Sequence, residues 1–247
     1  MLGIGNGIDM SSLVPPYSAY SVHVENSTEF IEYGTGHDVI GSGDFSIAAW
    51  VKIADIVDVP HEYILSEYED IDNHWVFFVQ GNGALGFFTT VSGSGSGYYS
   101  NVGLDADDND TWIHVAVSYD RDDAIKFYIN GSHVANHTSD VVNTNDLDVS
   151  GNLRTGWNGG SSSDWIVNDV AVWSSALIPA QITKIYNNGE PLDHIGTQGI
   201  GASNLIHWWR MGDGPGDVGT TIKDQVGSID GTLTSGTSII KDAPNNP

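Results

Sequence analysis

Cysteine is missing from this 247-residue chain, so neither a disulfide framework nor a thiolate metal site can hold it together. Basic residues are scarce: 8 lysines and arginines stand against 32 aspartates and glutamates, a formal net charge of −24. That surplus repels phosphate backbones and anionic lipid, which argues against nucleic-acid and membrane-surface partners. Polyanionic glycans meet the same repulsion. Long apolar runs are lacking as well. The opening ten residues have no basic start and no continuous hydrophobic stretch, so they read neither as a secretion signal nor as a membrane span. With Leu2, Ile4, Ile8 and Leu13 spread among polar residues, residues 1–18 read as an extended arm. There is no Ser-His-Asp order, no glycine-rich phosphate loop and no Cys-His site to suggest nucleophilic or nucleotide chemistry.

What the chain does have is alternation in period two. Across residues 44–52, Phe45, Ile47, Ala49 and Val51 point one way and Ser46, Ala48, Trp50 and Lys52 the other; residues 111–120 repeat the pattern. Residues 20–25 and 29–33 alternate too. Residues 63–66, 75–79 and 85–91 carry β-branched and aromatic residues bounded by Gly, Asn and Asp, as a meander does. Residues 125–129 run into Asn130-Gly131, a type I′ hairpin signal because both turn positions need positive φ. Residues 165–173 form another strand. Residues 179–187 read as one short helix, with Pro179 in its first turn, Ile182, Ile185 and Tyr186 on one face, and Gly189 past its end. The Ser-Gly alternation of residues 92–97 reads as a mobile hairpin loop.

The phrases Phe45-Ser-Ile-Ala-Ala-Trp-Val51 and Thr111-Trp-Ile-His-Val-Ala-Val-Ser-Tyr-Asp120 resemble two strands of the laminin G-like branch of the concanavalin A-like lectin and glucanase superfamily. Members read roughly Phe-Thr-Ile-Ser-Ala-Trp-Val and Thr-Trp-His-His-Val-Ala-Val-Thr-Tyr-Asp there. Tyr128-Ile-Asn-Gly131 resembles the family's Tyr-Val-Asp-Gly, and residues 165–173 its Ile-Asp-Glu-Val strand, with Asp169 on the family's aspartate. Where the family has Ser-Phe-Asp-Gly, this chain has His23-Val-Glu-Asn26. The resemblance implies an all-β fold: a two-sheet antiparallel β-sandwich, a concanavalin A-like jelly roll, with one short helix. Residues 205–214 and 224–233 resemble a segment that many relatives place before the sandwich, which implies permuted closing strands. The expected organisation is therefore an arm at 1–18, a jelly-roll sandwich at 19–235 and a C-terminal tail at 236–247.

Candidate chemistry is sparse. Glu67-Tyr-Glu-Asp-Ile-Asp72 resembles the Glu-x-Asp-x-x-Glu of laminarinase-type glycoside hydrolases, whose reaction needs a carboxylate pair. Asp72 is one methylene short of the acid position, and the string reads as a solvated acidic hairpin. Asp105, Asp107 and Asn109 set oxygen ligands at alternate positions, as calcium loops do, without the glycine and distal glutamate of an EF-hand. Relatives hold calcium at the sandwich rim with aspartates, which makes Asp169 a further candidate; calcium is thus the one cofactor to look for. His133 and His137 would lie about 13 Å apart if extended, too far to share an ion. His114 reads as a hydrogen-bonded face position within its strand.

Glycan binding needs exposed aromatic faces beside polar acceptors. Trp157, Asn158 and Asp164 in one Gly/Ser-rich stretch, and Tyr98 and Tyr99 beside another, are the candidate platform; Trp50, Trp112, Trp173 and Trp208 are expected in the core. Taken together, the sequence reads as a non-catalytic sandwich serving as a structural or interaction module. The specific expectation is an exterior virion protein of a bacteriophage, a capsid decoration or fibre, located on the virion surface. Its partners would be other virion subunits, as a homo-oligomer or capsid-bound, met through the arm and the tail. The alternatives are a lectin-like module for a host surface glycan, extracellular or at a cell surface, and a glycoside hydrolase using Glu67 and Asp72.

Overall fold

The computed structural model describes residues 18–56, 61–137, 146–156, 164–196, 200, 202–234 and 236–244. Their strands form two eight-stranded antiparallel sheets. Sheet A is built from β1 (Ser21–Val24), β3 (Phe45–Ile53), β8 (Ile113–Tyr119), β9 (Ile125–Ile129), β10 (Ser132–His137), β12 (Trp165–Trp173), β13 (Leu205–Trp209) and β16 (Ser238–Ile240). Sheet B is built from β2 (Ile31–Thr35), β4 (Glu62–Asp70), β5 (Asn73–Val79), β6 (Leu85–Val91), β7 (Ser94–Tyr99), β11 (Asn152–Thr155), β14 (Thr221–Ile222) and β15 (Gly231–Leu233). The order across A is β10-β9-β8-β3-β12-β1-β16, with β13 also pairing β12; across B it is β14-β15-β2-β11-β4-β5-β6-β7. This is the two-sheet sandwich with one short helix that the alternation implies. No described helix is long and apolar enough to cross a membrane.

The two inner faces supply the main core. Phe45, Ile47, Ala49, Val51 and Ile53 of β3 meet Trp75, Phe77 and Val79 of β5 and Leu85 and Phe87 of β6 in one cluster. Phe45 and Phe87 rings lie 5.3 Å apart, and each fully buried side chain of this size contributes about 1.5–3 kcal/mol.

Sheet A is covered on its other face too. A row of alanines crosses its centre, Ala116 opposite Ala48 and Ala48 opposite Ala171, with Tyr128 and Trp208 at the row's ends. The missing bulk there seats α1 (Pro179–Tyr186), whose Ile182 and Ile185 pack on the row. Two residues along the same face, Ser46 Oγ accepts from Leu177 N and Ser118 Oγ donates to Leu177 O, both at 2.9 Å, which fastens the segment entering the helix. Asn187, in the left-handed region at φ 50°, ends the helix.

Three sequence expectations change. Residues 94–99 are not a loop but the edge strand β7, and the hairpin turns at Ser92-Gly93 instead. Trp112 is half-buried rather than core, because its Nε1 reaches outward to Asp242 Oδ1 at 2.9 Å. The segment drawn as a tail from residue 236 contains β16, which extends sheet A beside β1, and Asp242, which also pairs Lys52 at 2.9 Å; that stretch is part of the sandwich. The segments thought permuted do become strands, β13 on β12 and β15 on β2. Residues 1–17 of the arm lie outside the described residues.

Candidate functional site

Helix α1 packs on sheet A, and the outer face of sheet B is where partly exposed aromatic side chains gather. Register decides which residues these are. His74 pairs Thr90, Val76 pairs Phe88, and Phe78 pairs Gly86 across β5 and β6, so all six point outward while Trp75, Phe77 and Val79 point into the core. From β4, Tyr63, Ser66 and Tyr68 share that face, opposite Phe78, Val76 and His74. From β7, Tyr99, Gly97 and Gly95 share it, opposite Gly86, Phe88 and Thr90. Asn152 and Arg154 of β11 and Glu32 of β2 continue it toward the other edge.

These rings are organised. At one end His61 and Tyr63 lie 4.9 and 5.9 Å from Phe78, and Phe78 meets Tyr99 edge-on at 6.1 Å. At the other end His74 lies between Tyr68, at 5.3 Å, and Phe88, at 5.6 Å and stacked. The glycines make room for them. A Cβ on Gly86 would stand 2.5 Å from the Phe78 ring, and one on Gly97 would stand 2.9 Å from the Tyr99 hydroxyl and 3.2 Å from Phe88. Tyr63, Tyr68, His74 and Phe88 are half-buried and Tyr99 is 37% exposed, so their ring surface reaches solvent, whereas Phe78, Val76, Ser66 and Thr90 on the same face are buried. Arg154 is held by Glu32, Nε to Oε2 at 2.7 Å, and covers Phe30 with its guanidinium at 4.5 Å.

The residues singled out from sequence scatter by comparison. Tyr98 is buried in the core and Tyr99, its neighbour, points outward on sheet B. Asp164 precedes β12 in sheet A, where its Oδ1 stands 2.5 Å from His23 Nε2. Trp157 and Asn158 lie outside the described residues.

Asp105 and Asp108 cap a 3₁₀ turn reciprocally: Asp105 Oδ1 accepts from Asp107 N at 2.9 Å, and Asp108 Oδ2 accepts from Asp105 N at 3.0 Å. Asn109 Oδ1 accepts from Ile56 N at 3.0 Å, tying the turn to the end of β3. Asp169 is buried at a bulge of β12 with φ 54°, between Trp208 Nε1 at 2.5 Å and His194 Nε2 at 3.2 Å. Among the described residues, no three His, Asp or Glu side chains converge as a metal site. Asp105, Asn109 and Asp169 each accept from a protein donor, and Asp107 is exposed in the first turn of the 3₁₀ segment.

The enzyme-like string also resolves differently. Glu67 is not solvated; it faces the core, fully buried, with Trp75 Nε1 donating to Oε2 at 3.2 Å, while Glu69, Asp70 and Asp72 are exposed around the β4–β5 turn. A carboxylate pair facing one substrate is not formed. A cleft of about 360 Å³ between residues 38–45, Ser174 and Ile206 is lined by the carboxylates of Asp38 and Asp44, with Asp38 pushed upward by burial and by Asp148 and Asp146. His114 is buried beneath α1 against Trp50, with Nδ1 unpartnered, rather than hydrogen-bonded through that ring nitrogen.

Tyr63, Tyr68, His74, Phe78 and Phe88 did not stand out in the sequence because aromatic strand residues read first as core. The available signal was β5 itself, where His74, Val76 and Phe78 alternate with Trp75, Phe77 and Val79 and leave neither face polar.

Residues 27–183 match the family model described as the concanavalin A-like lectin/glucanases superfamily. No curated protein matches the chain. Among solved structures, a candidate carbohydrate binding protein from Bacteroides ovatus ATCC 8483 is similar at 19% identity and TM-score 0.61, over 93% of this chain and 62% of that one. The native heptameric SAP-like pentraxin of Limulus polyphemus is similar at 15% identity and TM-score 0.53, over 89% of this chain and 97% of that one. The binding domain of botulinum neurotoxin serotype G is similar at 18% identity and TM-score 0.50, over 60% of this chain and 37% of that one. This chain therefore spans about 62% of the Bacteroides protein's length. At these identities the likeness is one of fold.

Proposed function

The chain belongs to the concanavalin A-like lectin/glucanases superfamily, and from that premise we propose that it is a non-catalytic carbohydrate-binding module whose ligand lies on the outer face of sheet B. One observation carries this reading: half-exposed rings of β4, β5, β6 and β7 are gathered on one face, some laid over glycines, with hydroxyl and amide side chains among them. Sugar rings present C–H faces that pack on aromatic planes and hydroxyls that bond to half-buried polar side chains such as Asn152 on the same face. The Bacteroides protein described as a carbohydrate-binding candidate has the same architecture, and its description agrees with the reading.

A glycan array probed with the full chain should give hits among neutral sugars. A Tyr99→Ala/Phe88→Ala double variant that keeps its circular dichroism spectrum should lose them. An array with no hits overturns the proposal.

The setting we propose for such a module is the surface of a bacteriophage virion, with homo-oligomeric or capsid contacts to other virion subunits. The acidic exterior and the absence of cysteine support this reading. Detection of the chain in purified particles, and its release from intact particles by protease, are the expected results; its absence from particles removes this setting and leaves an extracellular or cell-surface one.

A further inference from the structure

The face of sheet A that lies away from the main core is covered by a strap, residues 174–196, in which α1 and the chain around it bury Leu177, Ile182, Ile185 and His194. Its apolar residues pack with Trp173, Trp208 and the alanine row as a cluster separate from the core between the sheets. Three titratable side chains, His114, Asp169 and His194, are buried in this layer. Asp169 uses both oxygens: Oδ1 accepts from Trp208 Nε1 at 2.5 Å, and Oδ2 stands 3.2 Å from His194 Nε2. The His194 ring is held edge-on between Trp173 and Trp208, 5.3 and 5.2 Å away. His114 lies 5.3 Å from Trp50 and 6.0 Å from Tyr186 of α1. Its backbone N–H donates to Asn130 Oδ1 at 3.0 Å, and Thr183 Oγ1 of α1 donates to Gly131 O at 3.0 Å, so strand, hairpin and helix meet at this histidine.

One carboxylate thus faces two imidazoles. Asp169 is bound to His194 and Trp208, so a proton on His114 meets no free carboxylate. His114 is met by Trp50 from β3, by Asn130 from the β9–β10 turn and by Tyr186 from α1, none of them charged. The charged groups that act on it are Asp169 of β12 and His194 beyond α1, while Lys184 of α1 is exposed. Its Nδ1 has no hydrogen-bond partner among the described residues. Burial pushes its pKa down to about 3, outweighing the attraction of Asp169. An imidazolium here gains most by reaching water, and α1 is what covers it.

The core between the sheets responds to acid in the opposite sense. Burial raises the Glu67 pKa to about 8, so the stability it governs is lost as pH rises from 4.5 toward 8 and returns on acidification. The stability governed by His114 is present above pH 6.5 and is lost as pH falls toward 3. Between pH 7 and pH 5 the main core therefore tightens while the layer under α1 weakens. The helix yields before the strand, because β8 is bonded along both edges whereas α1 is held by packing and side-chain bonds.

We infer that residues 174–196 are an acid-released cover: protonation of His114 frees α1 and its flanking chain from sheet A while the two sheets stay packed, baring the alanine row and the Trp173 and Trp208 rings. This does not depend on the glycan-binding reading, whose face lies on the other sheet.

The test is hydrogen exchange of the full chain, read by mass spectrometry at pH 7 and pH 5 and corrected for the intrinsic rate. Amide protection in residues 177–190 should fall about twentyfold from pH 7 to pH 5, while protection in β4 and β5 around Glu67 stays level or rises. His114→Phe keeps the ring bulk and takes up no proton, so its strap should lose no more than about twofold over the same range. His114→Gln, uncharged throughout, gives the same readout should the Phe variant not fold. A parent strap whose protection holds at pH 5, or falls in step with β4 and β5, overturns the inference. A fall that persists in the His114 variants overturns His114 as the trigger.

Discussion

Glu67 sits inside the sandwich with Trp75 donating to one carboxyl oxygen and the His37 backbone beside the carboxyl. Burial pushes its pKa up to about 8, against the opposing pull of the Trp75 hydrogen bond. The folded value lies above the ordinary 4.5, so the associated stability is fully present below pH 4.5 and is lost as pH rises toward about 8. Glu67→Gln keeps shape and one acceptor without the charge. Urea melts of the variant should therefore lose less stability between those pH values than the parent, by a few kcal/mol at alkaline pH. Parallel curves would place the carboxylate in water.

His114 sets the opposite limb. Burial drives its pKa down to about 3, so its stability is present above pH 6.5 and is lost as pH falls toward that value. The acidic string gave no sign of Glu67's burial, since its neighbours Glu69 and Asp70 are solvated. Only pairing opposite Trp75 turns that one carboxylate inward.

At the scale of elements, β7 shows how a sequence pattern can mislead. Residues 92–97 alternate small residues, which in isolation describes flexibility. In the sheet the alternation has a purpose, because Gly95 and Gly97 occupy the outward positions over which Phe88 and Tyr99 lie. Gly97→Val should leave the sandwich folded, since β7 is an edge strand, but displace both rings. The expected results are a changed near-ultraviolet circular dichroism spectrum, a loss of about 1–3 kcal/mol from overcrowding, and loss of glycan binding. Unchanged binding would show that the rings are not held by the glycines.

Other elements were legible for local reasons. Asn130 and Gly131 both take positive φ, as the hairpin turn demands, and α1 begins at Pro179 as proline at a first turn should. The alanine row under α1 was not legible. Three residues far apart in the chain become neighbours only through register, and each alone reads as an ordinary strand position.

For the whole molecule, charge governs the response to salt. A net −24 spread over one sandwich repels itself, and salt shortens that repulsion from about 30 Å at 0.01 M to about 8 Å at 0.15 M. The melting temperature should accordingly rise with sodium chloride over that range. It should rise equally with chelator present, because Asp105, Asn109 and Asp169 each accept from a protein donor. A melting temperature that falls in chelator at constant ionic strength would reveal a bound divalent ion.

The sequence by itself determined the fold class, because strand alternation, hairpin turns and helix ends are written in periods of a few residues and need no distant partner. It also determined the sign of the surface field, which is a sum over composition. The tertiary structure alone decided the candidate site. Both faces of β5 are aromatic, and nothing local says which is core; that is fixed by sheet A packing on Trp75, Phe77 and Val79, which leaves His74 and Phe78 with Tyr63, Tyr68, Phe88 and Tyr99 on the side away from the core. Binding surfaces of this kind are assembled across strands, so their residues acquire a common purpose only when the register brings them together.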